Sequence, residues 1–260
     1  MHRFFAPGAD RADVVVGLPD DEARHLTQVL RLGPGDAVRV FDGRGREHAA
    51  VVTDAGRAGV RVRTGCAVAA PAEPGVRVTL GAALLKGRKV DAVVRDATML
   101  GVHVVQPLVT LRTEVPARRF GAAAAERWTR IAVASAKQCG RAFVPRVHPP
   151  LDFDRFLDAA NAAAGLRLLL VEPAAAGGVA SVRSLAGEPR PSAAVVAVGP
   201  EGGWTEVEVA QATRAGFRPT TLGRRALRAE AVPVAALAVL HFLWRDDDPP
   251  GAPSAVGTEG

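Results

Sequence analysis

The spacing of apolar residues changes near Val76, and this change constrains the fold more than any other feature of the sequence. From there onward, short apolar segments alternate with longer segments in which apolar residues recur at helical spacing. The candidate strands are residues 78–85, 102–107, 167–173 and 193–200, and the candidate helices are residues 89–100, 122–138 and 153–164. This alternation predicts a mostly parallel sheet with helices on both faces.

The first 70 or so residues have a different pattern, in which short strands follow one another closely. The candidate strands are residues 13–18, 37–41, 47–54 and 60–64, and one helical segment covers residues 20–31. Such strands are typical of a small barrel or sandwich. Residues 67–75 contain two prolines and predict a linker. We therefore expect one domain over residues 1–74, a second over 75–246, and a disordered tail over 247–260.

The charge balance favours a polyanionic partner, because 33 Lys and Arg residues outnumber 27 Asp and Glu residues. Nearly all of these cations are Arg, which suits phosphate recognition but could equally reflect a codon bias. Cys66 and Cys139 have no His or Cys at metal-ligand spacing, so neither a disulfide nor a metal is expected. The N-terminus lacks an apolar signal segment, and the longest apolar stretch, residues 231–244, is too short to span a bilayer. A soluble cytoplasmic protein is expected.

A glycine-rich turn, GPEGG at residues 199–203, follows the last candidate strand. Thr205 and Glu208 have the spacing of a capping box, which predicts that a helix begins near Glu206. The turn therefore lies at the carboxyl end of a strand, where open α/β sheets bind ligands. We expect the backbone at Gly202 to approach a ligand and to need a positive φ, although a plain structural turn would also explain the glycines. The turn has neither the P-loop nor the dinucleotide-binding spacing.

The segment after the next strand is also distinctive. Residues 222–230 form a basic loop, and residues 232–244 form a candidate helix that is apolar on both sides. We expect its main face to contain Val239 but neither Leu237 nor Trp244. A helix of this kind is normally buried in a core or at a subunit interface.

The pair of motifs GPEGG and LG-x-x-x-LR-x-E, at residues 199–203 and 222–230, resembles the RsmE family in the SPOUT class of RNA methyltransferases. Residues 25–36, 86–102 and 127–141 are similar to further family blocks in the same order. The resemblance implies an α/β fold: a small PUA-like β-barrel that helps hold RNA, then a SPOUT-type methyltransferase domain with a deep trefoil knot. It also implies a homodimer that methylates ring nitrogen 3 of a uridine in 16S rRNA, with S-adenosylmethionine as the methyl donor.

The resemblance further implies that backbone from three loops contacts the cofactor. The expected cofactor-binding residues are Leu170, Val171, Glu172, Val198, Gly199, Pro200, Glu201, Gly202, Gly203, Leu222, Gly223, Ala226, Leu227 and Arg228. The chain departs from the family where LRTET is usual, because Ala229 and Ala231 replace both hydroxyls, and Lys137 stands where Glu is common. Since the glycines, Arg228 and Glu230 remain, an active enzyme is expected.

The reaction calls for a proton acceptor and for stabilisation of negative charge on the uracil. Arg228 is the expected charge-stabilising donor, because an Arg stays protonated and offers several N–H groups. Glu201 or Glu230 is the expected proton acceptor. Both also lie beside predicted helix starts, where a carboxylate is favourable for structural reasons.

Candidate RNA contacts are basic or polar residues near the family blocks, each of which could instead be a solvated surface residue. They are Arg3, Arg24, His25, Arg31, Lys86, Arg88, Lys89, Arg112, Gln138 and Arg141. The strongest candidates are Lys86, Lys89 and Arg141. A non-catalytic RNA-binding or ribosome-assembly protein on the same fold is the alternative function, and the intact GPEGG turn argues against it.

Overall fold

The structure, a computed structural model, describes residues 1–115, 120–161, 165–173 and 179–245. The predicted tail over 247–260 and the last three residues of the helix predicted over 153–164 lie outside the described residues. The chain forms a five-stranded sheet near its N-terminus and an eight-stranded sheet after it. None of the described helices is long and apolar enough to cross a membrane.

The small sheet has the strand order β1-β3-β4-β5-β2. Its strands are β1 (Arg3–Phe5), β2 (Val15–Gly17), β3 (Ala37–Phe41), β4 (Glu47–Gly56) and β5 (Gly59–Val68). Helix α1 (Asp20–Arg24) continues as a π-helix over His25–Val29 and packs on this sheet through Leu26, which is buried with Phe4 and Val62. The only pairings seen for β1 and β2 among the described residues are with β3 and β5, so the sheet is open.

The large sheet is parallel throughout, as the alternation of strands and helices predicted. The strands are β6 (Arg77–Ala83), β7 (Val104–Val109), β8 (Arg146–Val147), β9 (Leu151–Asp152), β10 (Leu166–Leu170), β11 (Ala180–Ser181), β12 (Ala193–Val198) and β13 (Arg218–Thr221). Their order is β11-β13-β10-β12-β6-β7-β8, with β9 also paired to β7. The carboxyl ends of β13, β10, β12 and β6 therefore meet at one edge.

Helices cover both faces of the large sheet. They are α2 (Lys89–Met99), α3 (Ala122–Cys139), α4 (Phe153–Asn161), α5 (Glu206–Arg214) and α6 (Val232–Trp244), and a 3₁₀ helix covers Val182–Gly187. On β10, Leu168 packs in one core with α2, α3 and α6, whereas Leu169 packs in the opposite core with α4 and α5. This follows from the period of two along a strand, which sends successive side chains to opposite faces.

The apolar face of α6 differs from the one expected. Leu237 and Trp244 are buried, so the prediction that they lie off the main face was wrong, and Val239 is exposed instead. Phe242 is 78% exposed and lies on the same outer side. Because almost every residue of this helix is apolar, the sequence pattern could not distinguish the face that meets the sheet.

A cluster of hydrogen bonds fastens the small sheet to α3. The guanidinium of Arg3, on β1, pairs with Glu47 at 2.7 Å. Its remaining N–H groups donate to carbonyl oxygens at the end of α3, which are those of Ala136, Lys137, Gly140 and Arg141. These are helix-terminal carbonyls, which lack partners within the helix and favour a cation. Lys137 adds an ion pair to Glu22 of α1 at 2.7 Å.

Candidate functional site

A cavity with an empty volume of about 570 Å³, including space open to solvent, lies at the carboxyl ends of β10, β12 and β13. Its walls come from three loops and the start of α6, through Leu170, Val171, Glu172, Pro173, Val198, Gly199, Pro200, Glu201, Gly203, Trp204, Thr221, Leu222, Arg225, Leu227, Ala229 and Val232. The cavity therefore lies where parallel sheets bind ligands.

The GPEGG turn owes its shape to one left-handed residue. Gly203 has φ of +67°, and its N–H donates to the carbonyl of Pro200 at 2.9 Å. The predicted capping box is present: the Thr205 hydroxyl accepts from the Glu208 N–H, and the Glu208 carboxylate accepts from the Thr205 N–H at 2.8 Å. Turn and helix are thus fixed at the mouth of the cavity.

Trp204 connects the ends of β10 and β12. Its indole N–H donates to the Leu170 carbonyl at 2.9 Å, and its ring packs on Phe153 with centroids 4.6 Å apart. A Cβ at Gly199 would lie 3.1 Å from the indole ring. Gly199 is therefore a position where the tight approach of a side chain, rather than a positive φ, favours glycine.

Most of the predicted cofactor contacts line the cavity, and four do not. Those away from the wall are Gly202, Gly223, Ala226 and Arg228. A Cβ at Gly202 would meet the Arg112 side chain at 3.3 Å, and the positive φ expected there is at Gly203. Sequence reasoning missed several wall residues, which are Pro173, Trp204, Thr221, Arg225, Ala229 and Val232. Arg225 lies within the predicted loop over 222–228, and the others lie one to four residues from a predicted contact, so extending each segment by a few residues would have included them.

Lys89 brings together the two candidate proton acceptors. Its ammonium lies 3.0 Å from Glu201 and 3.4 Å from Glu230, and the Lys86 N–H also donates to Glu201. Partial burial of Glu201 opposes its ionisation, but the hydrogen bonds from Lys89 and backbone N–H groups outweigh it and lower the pKa of Glu201. The hydrogen bond to Glu201 raises the pKa of Lys89. Both groups are therefore charged at neutral pH, and Glu201 is a weak proton acceptor.

Arg228 lies apart from this charge cluster. Its backbone carbonyl accepts from the N–H groups of Ala231 and Val232 at the start of α6. Its side chain is exposed, and within the described part of the chain no hydrogen bond or ion pair is seen for it. Arg228 does not itself line the cavity, but its sequence neighbours Leu227 and Ala229 do.

Comparison with known proteins places this geometry in a family. Residues 72–241 match the RNA methyltransferase domain family, and residues 18–64 match the RNA methyltransferase PUA domain family. The chain belongs to the RsmE-type RNA methyltransferases. It is 34% identical to ribosomal RNA small subunit methyltransferase E of Synechocystis, over 89% of this chain and 74% of that protein.

Two solved structures resemble the RsmE-type chain closely. Ribosomal RNA small subunit methyltransferase E of Neisseria gonorrhoeae, bound to S-adenosylmethionine, is 32% identical with a TM-score of 0.81, over 94% of this chain and 98% of that chain. A methyltransferase of Legionella pneumophila, also with bound S-adenosylmethionine, is 27% identical with a TM-score of 0.81, over 92% of this chain and 96% of that chain. The two-part architecture is therefore that of RsmE-type enzymes.

Two of the predicted RNA contacts have structural roles instead. Arg141 is only 6% exposed, pairs with Glu73, and donates to the carbonyls of Thr98 and Val102. Arg3 is occupied by Glu47 and by the end of α3. Arg141 has almost no surface to offer a phosphate, so that prediction is corrected; the Arg3 side chain is 15% exposed, and its N–H groups are already bonded within the protein.

The other predicted RNA contacts lie at or near the surface, in differing surroundings. Arg112 donates to the carbonyl of Gly202 at 2.8 Å and so braces the GPEGG turn. Lys86 pairs with Glu114, and Arg24 bonds the Asp20 carbonyl. Arg31, Arg88 and Gln138 are exposed, and His25 is half-buried beside Phe4.

Sequence reasoning missed a basic strip on the outer face of the small sheet. Arg61 and Arg63 on β5 are exposed, and Arg39 on β3 is partly exposed. Val60 and Val62, which alternate with these two arginines along β5, are buried. The alternation of Val and Arg in this strand is a signal that would have identified the strip, because alternate residues share a face.

Proposed function

We propose that this protein transfers a methyl group from S-adenosylmethionine to ring nitrogen 3 of a uridine in 16S rRNA of the small ribosomal subunit, in the cytoplasm. Its family makes it an S-adenosylmethionine-dependent rRNA methyltransferase. The observation that carries the proposal is the cavity between the GPEGG turn and the loop before α6, since both family motifs border it. A non-catalytic RNA-binding or assembly protein would have no use for this cavity.

The residues that line the cavity suit the chemical groups of S-adenosylmethionine. Leu170, Leu222 and Val232 offer apolar walls for an adenine ring, and the carboxylates of Glu172 and Glu201 suit hydroxyl and cationic groups. When bound, S-adenosylmethionine supplies an activated methyl group on a positively charged sulfur. The residues of the chain would hold this cofactor, exclude water from it and prepare the uridine.

Preparing the uridine means removing the ring proton and stabilising the charge left behind. Arg228 is the proposed donor to the uracil carbonyl oxygens, because its side chain is exposed and it lies in sequence between the wall residues Leu227 and Ala229. Glu201 or Glu230 is the proposed proton acceptor, since Glu201 lines the cavity and Glu230 is joined to it through the Lys89 ammonium. Glu230 is partly buried, and its only partner among the described residues is Lys89.

We propose that residues 1–74 and residues 75–246 both bind RNA. The proposal takes a trefoil knot in the larger domain and a PUA-like arrangement of the small, open sheet from the resemblance. Phosphate contacts are assigned to exposed or partly exposed residues on both parts, which are Arg24, His25, Arg31, Arg39, Arg61, Arg63, Lys86, Arg88, Arg112 and Gln138. Because such contacts release counterions, RNA affinity should fall steeply as salt rises.

We further propose a homodimer. The outer side of α6 exposes Val239 and Phe242 next to a groove lined by Met99 and Leu100. Exposed apolar surface of this extent on one helix favours a partner, and two copies related by a two-fold axis would each cover the other.

The decisive experiment incubates the protein with methyl-labelled S-adenosylmethionine and either small ribosomal subunits or naked 16S rRNA. The labelled nucleoside is then located in the RNA and its methylated atom identified. Label on ring nitrogen 3 of one uridine is expected, and the Arg228→Ala variant serves as a slow control. Absence of label with both substrates, or label on another atom, would overturn the proposal.

A further inference from the structure

We propose that Lys89 is a positioning residue for the cofactor cavity and that it acts by tying the GPEGG turn to the loop before α6. This assigns Lys89 a different task from the RNA contact that its sequence context suggested. The inference rests on the proposed function, since it takes the cavity to be the cofactor site.

The geometry joins three segments through one ammonium group. Lys89 is the first residue of α2, Glu201 is in the turn after β12, and Glu230 is in the loop after β13. Glu201 itself lines the cavity, and Glu230 follows the wall residue Ala229. Among the described residues, no backbone hydrogen bond joins turn 199–203 to loop 222–231. The two ion pairs of Lys89 are thus the polar link between these walls.

The location of Lys89 is not explained by the stability of its own helix. A cation at a helix N-terminus meets the positive end of the helix dipole, which is unfavourable. Two carboxylates from other segments offset that cost at this site. Without the ammonium, Glu201 and Glu230 would face each other as like charges in a partly buried setting, and the walls that carry them would separate.

Lys86, in the loop before α2, provides a comparison with Lys89. Its side chain is 60% exposed and pairs with Glu114, which is equally exposed, whereas the Lys89 side chain is 37% exposed and its two partners less so. A solvated ion pair exchanges readily with a phosphate, because such pairs contribute little free energy. Lys86 is therefore the better RNA ligand, and Lys89 is committed to the cavity.

The test compares Lys89→Met, Lys89→Arg and Lys86→Met in the full-length protein. Calorimetry measures affinity for S-adenosylmethionine, and titration of a 16S rRNA fragment at several salt concentrations measures RNA affinity. Lys89→Met should weaken cofactor binding by about tenfold or more, the equivalent of one lost charged interaction, with RNA affinity and salt slope unchanged. Lys89→Arg should recover most of the cofactor affinity because it keeps the cation, and Lys86→Met should bind the cofactor as the wild type does.

Thermal melting shows whether each variant is folded. If Lys89→Met melts far below the wild type, Glu230→Gln, which removes one partner only, replaces it and should still weaken cofactor binding. Wild-type cofactor affinity in Lys89→Met, or a loss confined to RNA binding with a shallower salt slope, overturns the inference and leaves the proposed function intact. Failure of the wild type itself to bind S-adenosylmethionine overturns the proposed function.

Discussion

Replacement of Gly203 by alanine should separate the shape of the GPEGG turn from the stability of the fold. Gly203 has φ of +67° and lines the cavity. An added Cβ would lie 3.4 Å from the Glu172 carboxylate, which is ordinary contact. The cost therefore comes from the backbone, and a left-handed residue other than glycine costs roughly 1–2 kcal/mol.

That backbone cost should appear in cofactor binding. If the turn relaxes to relieve the strain, the binding-competent conformation becomes the minor one, and apparent affinity falls in proportion to its population. A cost of 1–2 kcal/mol corresponds to roughly 5- to 30-fold weaker binding of S-adenosylmethionine. Gly59→Ala is a matched control, because Gly59 has φ of +109°, has no atom within 4 Å of an added Cβ, and lies in the β4–β5 hairpin.

The assay is calorimetric titration with S-adenosylmethionine, with melting of both variants recorded in parallel. Each variant should melt a few degrees lower, since about 1 kcal/mol shifts the midpoint by roughly 2–4 °C in a protein of this size. Only Gly203→Ala should lose cofactor affinity. If Gly203→Ala binds the cofactor like the wild type while melting lower, the left-handed turn does not shape the binding site and the reasoning is refuted.

Three further predictions concern charge and assembly. Arg228→Ala should keep cofactor affinity but slow single-turnover methylation by roughly 10²–10³-fold, and an unchanged rate would remove Arg228 from the mechanism. Phe242→Asp should convert a dimer to a monomer in sedimentation, because a charge replaces a 78% exposed apolar side chain. The pKa of Glu201 is lowered, so its stabilising contribution is present above its usual value of 4.5 and lost as pH falls through the lowered pKa. The difference in melting midpoint between wild type and Glu201→Gln should therefore shrink only below about pH 4.5.

Local signals in the sequence predicted the elements that depend on local physics. The capping box of Thr205 and Glu208 and the turn at the end of β12 were predicted correctly, because each involves neighbouring residues only. The sequence alone did not indicate which of the two adjacent glycines, Gly202 or Gly203, adopts a positive φ. Gly203 takes the positive φ, whereas Gly202 packs beside Arg112, which follows β7 in the chain.

Charged residues show most clearly where sequence reasoning ends. Arg141 was a strong candidate RNA contact, yet it is buried against Glu73, which is distant in the chain. Lys89 was also predicted to contact RNA, yet its ammonium pairs with Glu201 and Glu230 beside the cavity. A sequence lists charges without their surroundings, so a solvated cation and a paired one look alike until the fold brings the partners together.

The hydrogen bonds from Arg3 to the end of α3 affect how a target nucleotide would be selected. Since one guanidinium holds Glu47 and several helix-terminal carbonyls at once, the small sheet is not a loosely tethered module. An RNA strand resting on Arg61 and Arg63 would be held at a constant distance from the methyl donor. The RNA-binding surface of the small sheet would then be fixed relative to the cofactor cavity, and the folded shape of the RNA would decide which uridine reaches that cavity.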